Sequence, residues 1–295
     1  MSKRNPNKIK MSLDSRIVTI VSYVLVSLLA VLVIVPFLHV IAKAFSSGWA
    51  VFSGSVGLWP VDATGENMKS VITSKTFQTA LLNSILVTGV GTVSAVAFSA
   101  LVAYPLSQKK LPFRRFWLLF FVFTMYFSGG MIPTYLLYNS YHLLNTRLIL
   151  FLPHIINTYH LLIIKNYYQE LPDAIFESAA IDGAGHWTIF TQIVVPLSKP
   201  VYATIAVFTS VILWNSYMGP KMYTNSSSLA TIPLYLNDMI NASRDVLSEQ
   251  AAAAGSCPEA LASAAIIAAT VPILVVYPFM QKYFIKGMTI GSTKG

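Results

Sequence analysis

Six stretches of the chain are apolar on every side of a helical wheel and contain no Asp, Glu, Lys or Arg: 17–42, 78–107, 116–137, 148–164, 200–220 and 261–280. A helix rises about 1.5 Å per residue and the hydrocarbon core is about 30 Å thick, so each stretch crosses it or nearly does. Strands of an outer-membrane barrel would alternate apolar and polar positions over about ten residues, and these stretches do not. The pattern predicts an all-α polytopic protein with six transmembrane helices over 17–282. A leader at 1–16 and a tail at 283–295 flank it.

The first stretch follows a basic leader with Lys3, Arg4, Lys8, Lys10 and Arg16. Ala42-Lys43-Ala44 has the small-x-small form of a cleavage site, but the apolar run far exceeds the ~7–15 residues of a signal core. A retained span is therefore expected. Between the fourth and fifth stretches, 170–200 reads ELPDAIFESAAIDGAGHWTIFTQIVVPLSKP and is too polar to cross. Pro172 suits a first turn, and Asp173 and Glu177 favour the positive end of the helix dipole. Gly183 and Gly185 break that helix. A second follows, with Trp187, Phe190, Ile193 and Val194 on one face, until Pro196 interrupts it. Two short helices joined by a glycine bend make a compact knob that a partner could grip.

Composition agrees: 55% of the 295 residues are hydrophobic and 11% charged, against about 25% charged in soluble domains. The net charge of +9 lies in short clusters beside the apolar runs, without an aromatic-interleaved basic face, so no nucleic-acid partner is expected. Fourteen of the 20 basic residues fall on the side of the leader, the 107–116 turn, the 165–199 segment and the tail. The positive-inside rule then places both termini in the cytoplasm. Segments near 46–77, 139–147 and 221–260 fall outside. Cys257 is the sole cysteine, which rules out an internal disulfide and a multi-thiolate metal site from this chain alone.

The spans lack Asp and Glu, which weighs against proton or sodium coupling and removes the apparatus of an intramembrane aspartyl protease. His39, His142, His154, His160 and His186 show no compact ligand spacing, and no G-x-x-x-x-G-K-[ST] phosphate loop occurs. Glu177 and Asp182 stand five apart with no nucleophile beside them, which favours docking or capping over catalysis. Gly89 and Gly91, or Gly129 and Gly130, allow close helix packing or a kink. Polar residues inside spans are Asn83, Ser84, Thr88, Asn157, His160, Asn215 and Ser216, with Tyr126 and Tyr135. They serve either interhelical hydrogen bonds or a polar path for a hydroxyl-rich solute. The candidate lining set is Asn83, Tyr126, Tyr135, Asn157, Asn215 and Tyr217.

The run Glu177, Ser178, Ala179, Ala180, Ile181, Asp182, Gly183, Ala184, followed by Phe190, Ile193, Pro196 and Pro200, resembles the EAA loop of ABC importer permeases. Ser178 departs from the usual alanine and Val195 from the usual leucine. Asn83-Ser84, Trp214-Asn215 and the ending from Lys286 to Gly295 are similar to the maltose-importer type of carbohydrate permease. Ser128-Gly129-Gly130-Met131-Ile132-Pro133 is similar to a branch for complex, including acidic, oligosaccharides.

The resemblance implies a non-catalytic permease subunit in the bacterial inner membrane, forming half of a sugar pathway. It implies as partners a second homologous permease, two ATPase subunits that bind ATP and Mg, an external sugar-binding protein and membrane lipid. This chain itself would hold no cofactor. Glu177, Ser178, Ala179, Ala180, Asp182, Gly183, Ala184, Phe190 and Pro196 would form the ATPase-coupling set. The tail would reach between the ATPase subunits. By position, 241–258 corresponds to a loop that inserts into the binding protein, with Asn241, Arg244, Asp245 and Glu249 as candidate contacts. The competing readings are a permease for a peptide or polyamine, a membrane enzyme, and a membrane scaffold.

Overall fold

A computed structural model describes residues 13–245 and 257–290. Among them no strand occurs, and the chain forms two compact units.

The first unit takes in residues up to Ser70 together with Ser243–Ile267. Helix α1 (Leu13–Ala44) is exposed along almost its whole length, as a span that faces lipid or another subunit would be. Its end is fixed by the chain that follows. After α1 come a short helix, α2 (Gly48–Phe52), and a helix α3 beginning at Glu66 (Glu66–Thr73). Ala42, Ala50, Val51, Val56, Cys257 and Ala260 form one buried cluster. The Lys43 Nζ donates to Glu259 Oε1 at 2.6 Å. Asn67 Nδ2 donates to the carbonyls of Ala44 at 3.3 Å and Ser46 at 2.8 Å.

The second unit takes in Val71–Ala242 and the chain from Ala268. Its axis is α4 (Lys75–Ser107), a single 33-residue helix. Against it lie α5 (Arg114–Tyr126), α7 (Thr158–Gln169) and α10 (Lys199–Trp214), with α6 (Met131–Ser140) following α5. The 170–200 segment forms α8 (Asp173–Ile181) and α9 (His186–Leu197). Beyond α10 come α11 (Met218–Tyr223) and α12 (Ile232–Asp245). The last helix, α13 (Pro258–Ile290), runs from the first unit into the second.

Three helices are long and apolar enough to cross alone, and the count reaches six when each of three bent pairs is one span. The bends correct the even spans expected from hydropathy. The 116–137 run is two helices, α5 and α6, turned by 112° at Phe127–Gly130. Gly130 there has φ +85°, open to glycine and costly elsewhere. The 148–164 run starts as two 3-10 turns, Leu148–Leu150 and Leu152–His154, and only then becomes α7, bent by 50°. The 200–220 run is helical to Trp214, breaks over 215–217 and resumes as α11 at Met218.

Pro196 does not end α9. A π-helical stretch over Ile189–Val194 widens the turn ahead of it, and the 73° bend falls after Leu197, at Ser198. Proline lacks the N–H that an α-turn would use and its ring crowds the preceding turn; a wide turn relieves both. Helix α13 continues through Tyr283 to Ile290, so the described part of the 283–295 tail is helical.

Candidate functional site

The 170–200 segment is an elbow whose bend satisfies its own backbone. After α8 ends at Ile181, Gly183 adopts φ +75°. The Gly183 N–H donates to Ala180 O at 3.1 Å and the Ala184 N–H to Ala179 O at 2.9 Å, which is the paired bonding of a Schellman cap. No atom stands within 4 Å of where a Cβ on Gly183 would sit, so the backbone conformation alone demands glycine.

The motif divides into anchors and an offered face. Ala179, Ile189, Phe190 and Val194 are buried in one cluster with Ala100 and Ala103 of α4, Ile164 and Tyr168 of α7, and Val201 and Ile205 of α10. Phe190 sits 5.1 Å, centroid to centroid, from Tyr104. Glu177, Ser178, Ala180, Asp182, Gly183 and Pro196 are exposed, and Ala184 is half-buried. Ile181 is 86% exposed and Trp187 67%, so the tip shows apolar side chains between carboxylates. An exposed apolar patch rimmed by polar groups marks a protein contact. The spacing grouped Trp187 with Phe190, and their rings do meet at 5.7 Å, but the wide turn puts Ile189, Phe190 and Val194 inward and leaves Trp187 largely exposed.

The elbow is tied to the spans by more than packing. Tyr167 Oη donates to Leu197 O at 3.2 Å, and Gln169 Nε2 to Ser107 O at 3.3 Å. The Tyr168 hydroxyl hydrogen-bonds that of Tyr202 and also donates to Ala100 O at 3.4 Å. Lys109 reaches Asp173 at 3.3 Å, an exposed pair.

The lining candidates do not stand together. Asn83 is buried, and its Nδ2 donates to the carbonyls of Ser228 at 2.7 Å and Ala230 at 3.0 Å. Ser84 Oγ accepts the Ile232 N–H at 2.8 Å. The pair clamps the 228–232 segment onto α4. Nearby, Tyr235 packs edge-on to Phe77, and burial pushes its phenol pKa up.

Asn157 is exposed and caps α7, its Oδ1 accepting the His160 N–H at 3.2 Å. Asn215 is exposed at the end of α10 and donates to Val211 O at 2.9 Å. Tyr126 closes α5 and is 80% exposed, while Tyr135 stacks on Tyr223 at 6.3 Å. Tyr217 Oη donates to Asn237 Oδ1 at 3.1 Å, which also accepts from Asn241 Nδ2 at 2.9 Å. The side chains of Arg244 and Asp245, and all of Glu249, lie outside the described residues.

Gly91 is the glycine needed for packing. A Cβ there would stand 2.6 Å from Leu213 Cδ1 and 2.8 Å from Phe151 Cβ, whereas at Gly89 it would meet nothing within 4 Å. Sequence reading missed Ile181 as contact surface; its place in the unspecified part of the motif gave no signal.

Residues 95–290 match the family described as binding-protein-dependent transport system inner membrane component. The chain belongs to that family. The permease is therefore an inner membrane transport component and not an enzyme.

It is 37% identical over 286 residues to the polygalacturonan/rhamnogalacturonan transport system permease protein YtcP of Bacillus subtilis (strain 168), covering 96% of this chain and 100% of that one. It is 40% identical over 269 residues to protein LplC of the same organism, covering 89% and 90%. Among solved structures it resembles a chain of a bacterial ABC transporter involved in import of the acidic polysaccharide alginate. The TM-score is 0.85 at 30% identity, over 93% of this chain and 99% of that one.

Proposed function

We propose that the permease is one of two homologous membrane subunits of an ATP-driven importer for an oligosaccharide, of the acidic class released from pectin or alginate. The relatives named for polygalacturonan and alginate support the substrate class. The observation that carries the coupling role is the elbow: a self-capped helix pair offering Glu177, Ile181, Asp182 and Trp187, anchored through Ala179 and Phe190 to three spans.

Two separate ATPase subunits bind ATP and Mg, and this chain holds neither. Their closure displaces α8 and α9. Because the elbow shares one buried cluster with α4, α7 and α10, the displacement passes to the spans as a rigid-body tilt. Both termini face the cytoplasm, as the basic clusters indicate. An external binding protein delivers the sugar to the opposite face, where α12 begins the 241–258 segment. Asn157, Asn215, Tyr126 and Tyr135 line the route, whereas Asn83 serves the clamp.

Vesicles rebuilt with both permeases, the ATPase and internal Mg-ATP are expected to accumulate trigalacturonate from its external binding protein. Accumulation by this polypeptide alone, without nucleotide, would contradict the reading.

A further inference from the structure

The turn between α5 and α6 leaves backbone groups open where a membrane gives them nothing to bond. Helix α5 starts at Arg114, and its 13 residues carry the chain about 20 Å into a hydrocarbon layer about 30 Å thick. Over Phe127–Gly130 the helix is broken, and every residue from Phe123 to Pro133 is exposed.

Within the described residues, the Phe127 N–H reaches Phe123 O and the Gly130 N–H reaches Ser128 Oγ. The N–H groups of Ser128 and Gly129 and the carbonyls of Phe127, Ser128 and Gly129 have no such partner. Pro133, which has no N–H, stands where Gly129 O would find its helical donor. Irregular backbone at membrane depth persists only where protein covers it or water lines it.

Beside this turn stands Tyr126, 80% exposed, with Phe123 and Phe127 stacked at 4.2 Å. Thr124 Oγ1 lies 3.2 Å from Thr158 Oγ1, next to the exposed cap Asn157, so a second helix end adjoins the first. A pyranose ring has an apolar face of C–H groups and an equator of hydroxyls. An aromatic face beside unpaired backbone donors and acceptors complements both.

We infer that the break at 126–130 lines the aqueous route and holds one pyranose ring of the passing oligosaccharide, Tyr126 stacking on it and the open groups of 127–129 bonding its hydroxyls. This rests on the carbohydrate-importer reading above and assigns a contact point within it.

The chain has one cysteine, Cys257, so Cys257→Ser gives a blank background. In the reconstituted transporter, Ser128→Cys and Leu119→Cys are each labelled with sulfonatoethyl methanethiosulfonate, a charged reagent that needs water. Leu119 lies mid-helix on α5, exposed among Phe116, Phe120 and Phe123 and two turns before the break, and reports the rate at an apolar helix position away from the turn.

Ser128→Cys is expected to react at least tenfold faster than Leu119→Cys, and trigalacturonate to slow it several-fold. Equal rates, with and without ATP, overturn the lining assignment. Fast labelling that trigalacturonate leaves unchanged, in vesicles that do import it, overturns the ring contact while the importer reading stands. If the unsubstituted transporter imports no trigalacturonate, the substrate reading fails, and the comparison of the two labelling rates still decides the lining.

Discussion

Gly183 at φ +75° and Gly130 at φ +85° both turn the chain in the left-handed region, and the two turns keep opposite hydrogen-bond accounts. At Gly183 the bend closes on itself, with Gly183 and Ala184 N–H groups returning to Ala180 and Ala179. At Gly130 the N–H groups of Ser128 and Gly129 have no partner among the described residues. Water at a membrane surface would have tolerated open groups at the elbow, so its closure gives rigidity. Hydrocarbon tolerates none, so the second turn is covered by protein or lined by water, and the labelling experiment above separates the two. A self-satisfied bend suits the proposed transmission of force, and an open one suits the proposed contact with a solute.

The comparison breaks most severely if the elbow loses its anchor. Phe190→Ala removes a ring that is 5% exposed in the cluster shared by α4, α7 and α10, and should cost about 3–5 kcal/mol. A large drop in thermal unfolding midpoint in detergent, with loss of sugar-stimulated ATP hydrolysis, is the expected result. Gly91→Val tests the packing that holds the broken spans to α4. Its Cβ would meet Leu213 and Phe151 below 3 Å, so overpacking should cost about 1–3 kcal/mol, while Gly89→Ala should leave the midpoint unchanged.

Asn83→Ala frees the Ser228 and Ala230 carbonyls and should cost about 1–3 kcal/mol, read as faster proteolysis of the 224–232 segment. Smallest is Lys109→Ala. Its pair with Asp173 has both side chains more than three-quarters exposed, so stability should change by less than about 1 kcal/mol, and uptake not at all.

What was legible follows from range. The elbow could be read because its helix signals, carboxylates and glycine lie within a dozen residues and act locally. Six spans could be counted because hydropathy adds along the chain. Direction could not be read from hydropathy: 116–137 scores as one crossing whether it runs straight or turns by 112°. Ser128-Gly129-Gly130 carried the turn, but glycines in an apolar run serve packing equally well, as Gly91 does.

Asn83 read as a path residue because its partners lie 145 and 147 positions away. The bend assigned to Pro196 fell at Ser198 because a π-turn, which no short pattern announces, absorbed the proline.

The proposed coupling through the elbow is tested most directly by ATPase co-purification with Gly183 variants. Gly183→Val forces a β-branched residue to φ +75° and should leave the folded permease in the membrane without ATPase bound. Gly183→Asn, which tolerates that conformation, should retain it. Full ATPase recovery and normal uptake with Gly183→Val would contradict the account.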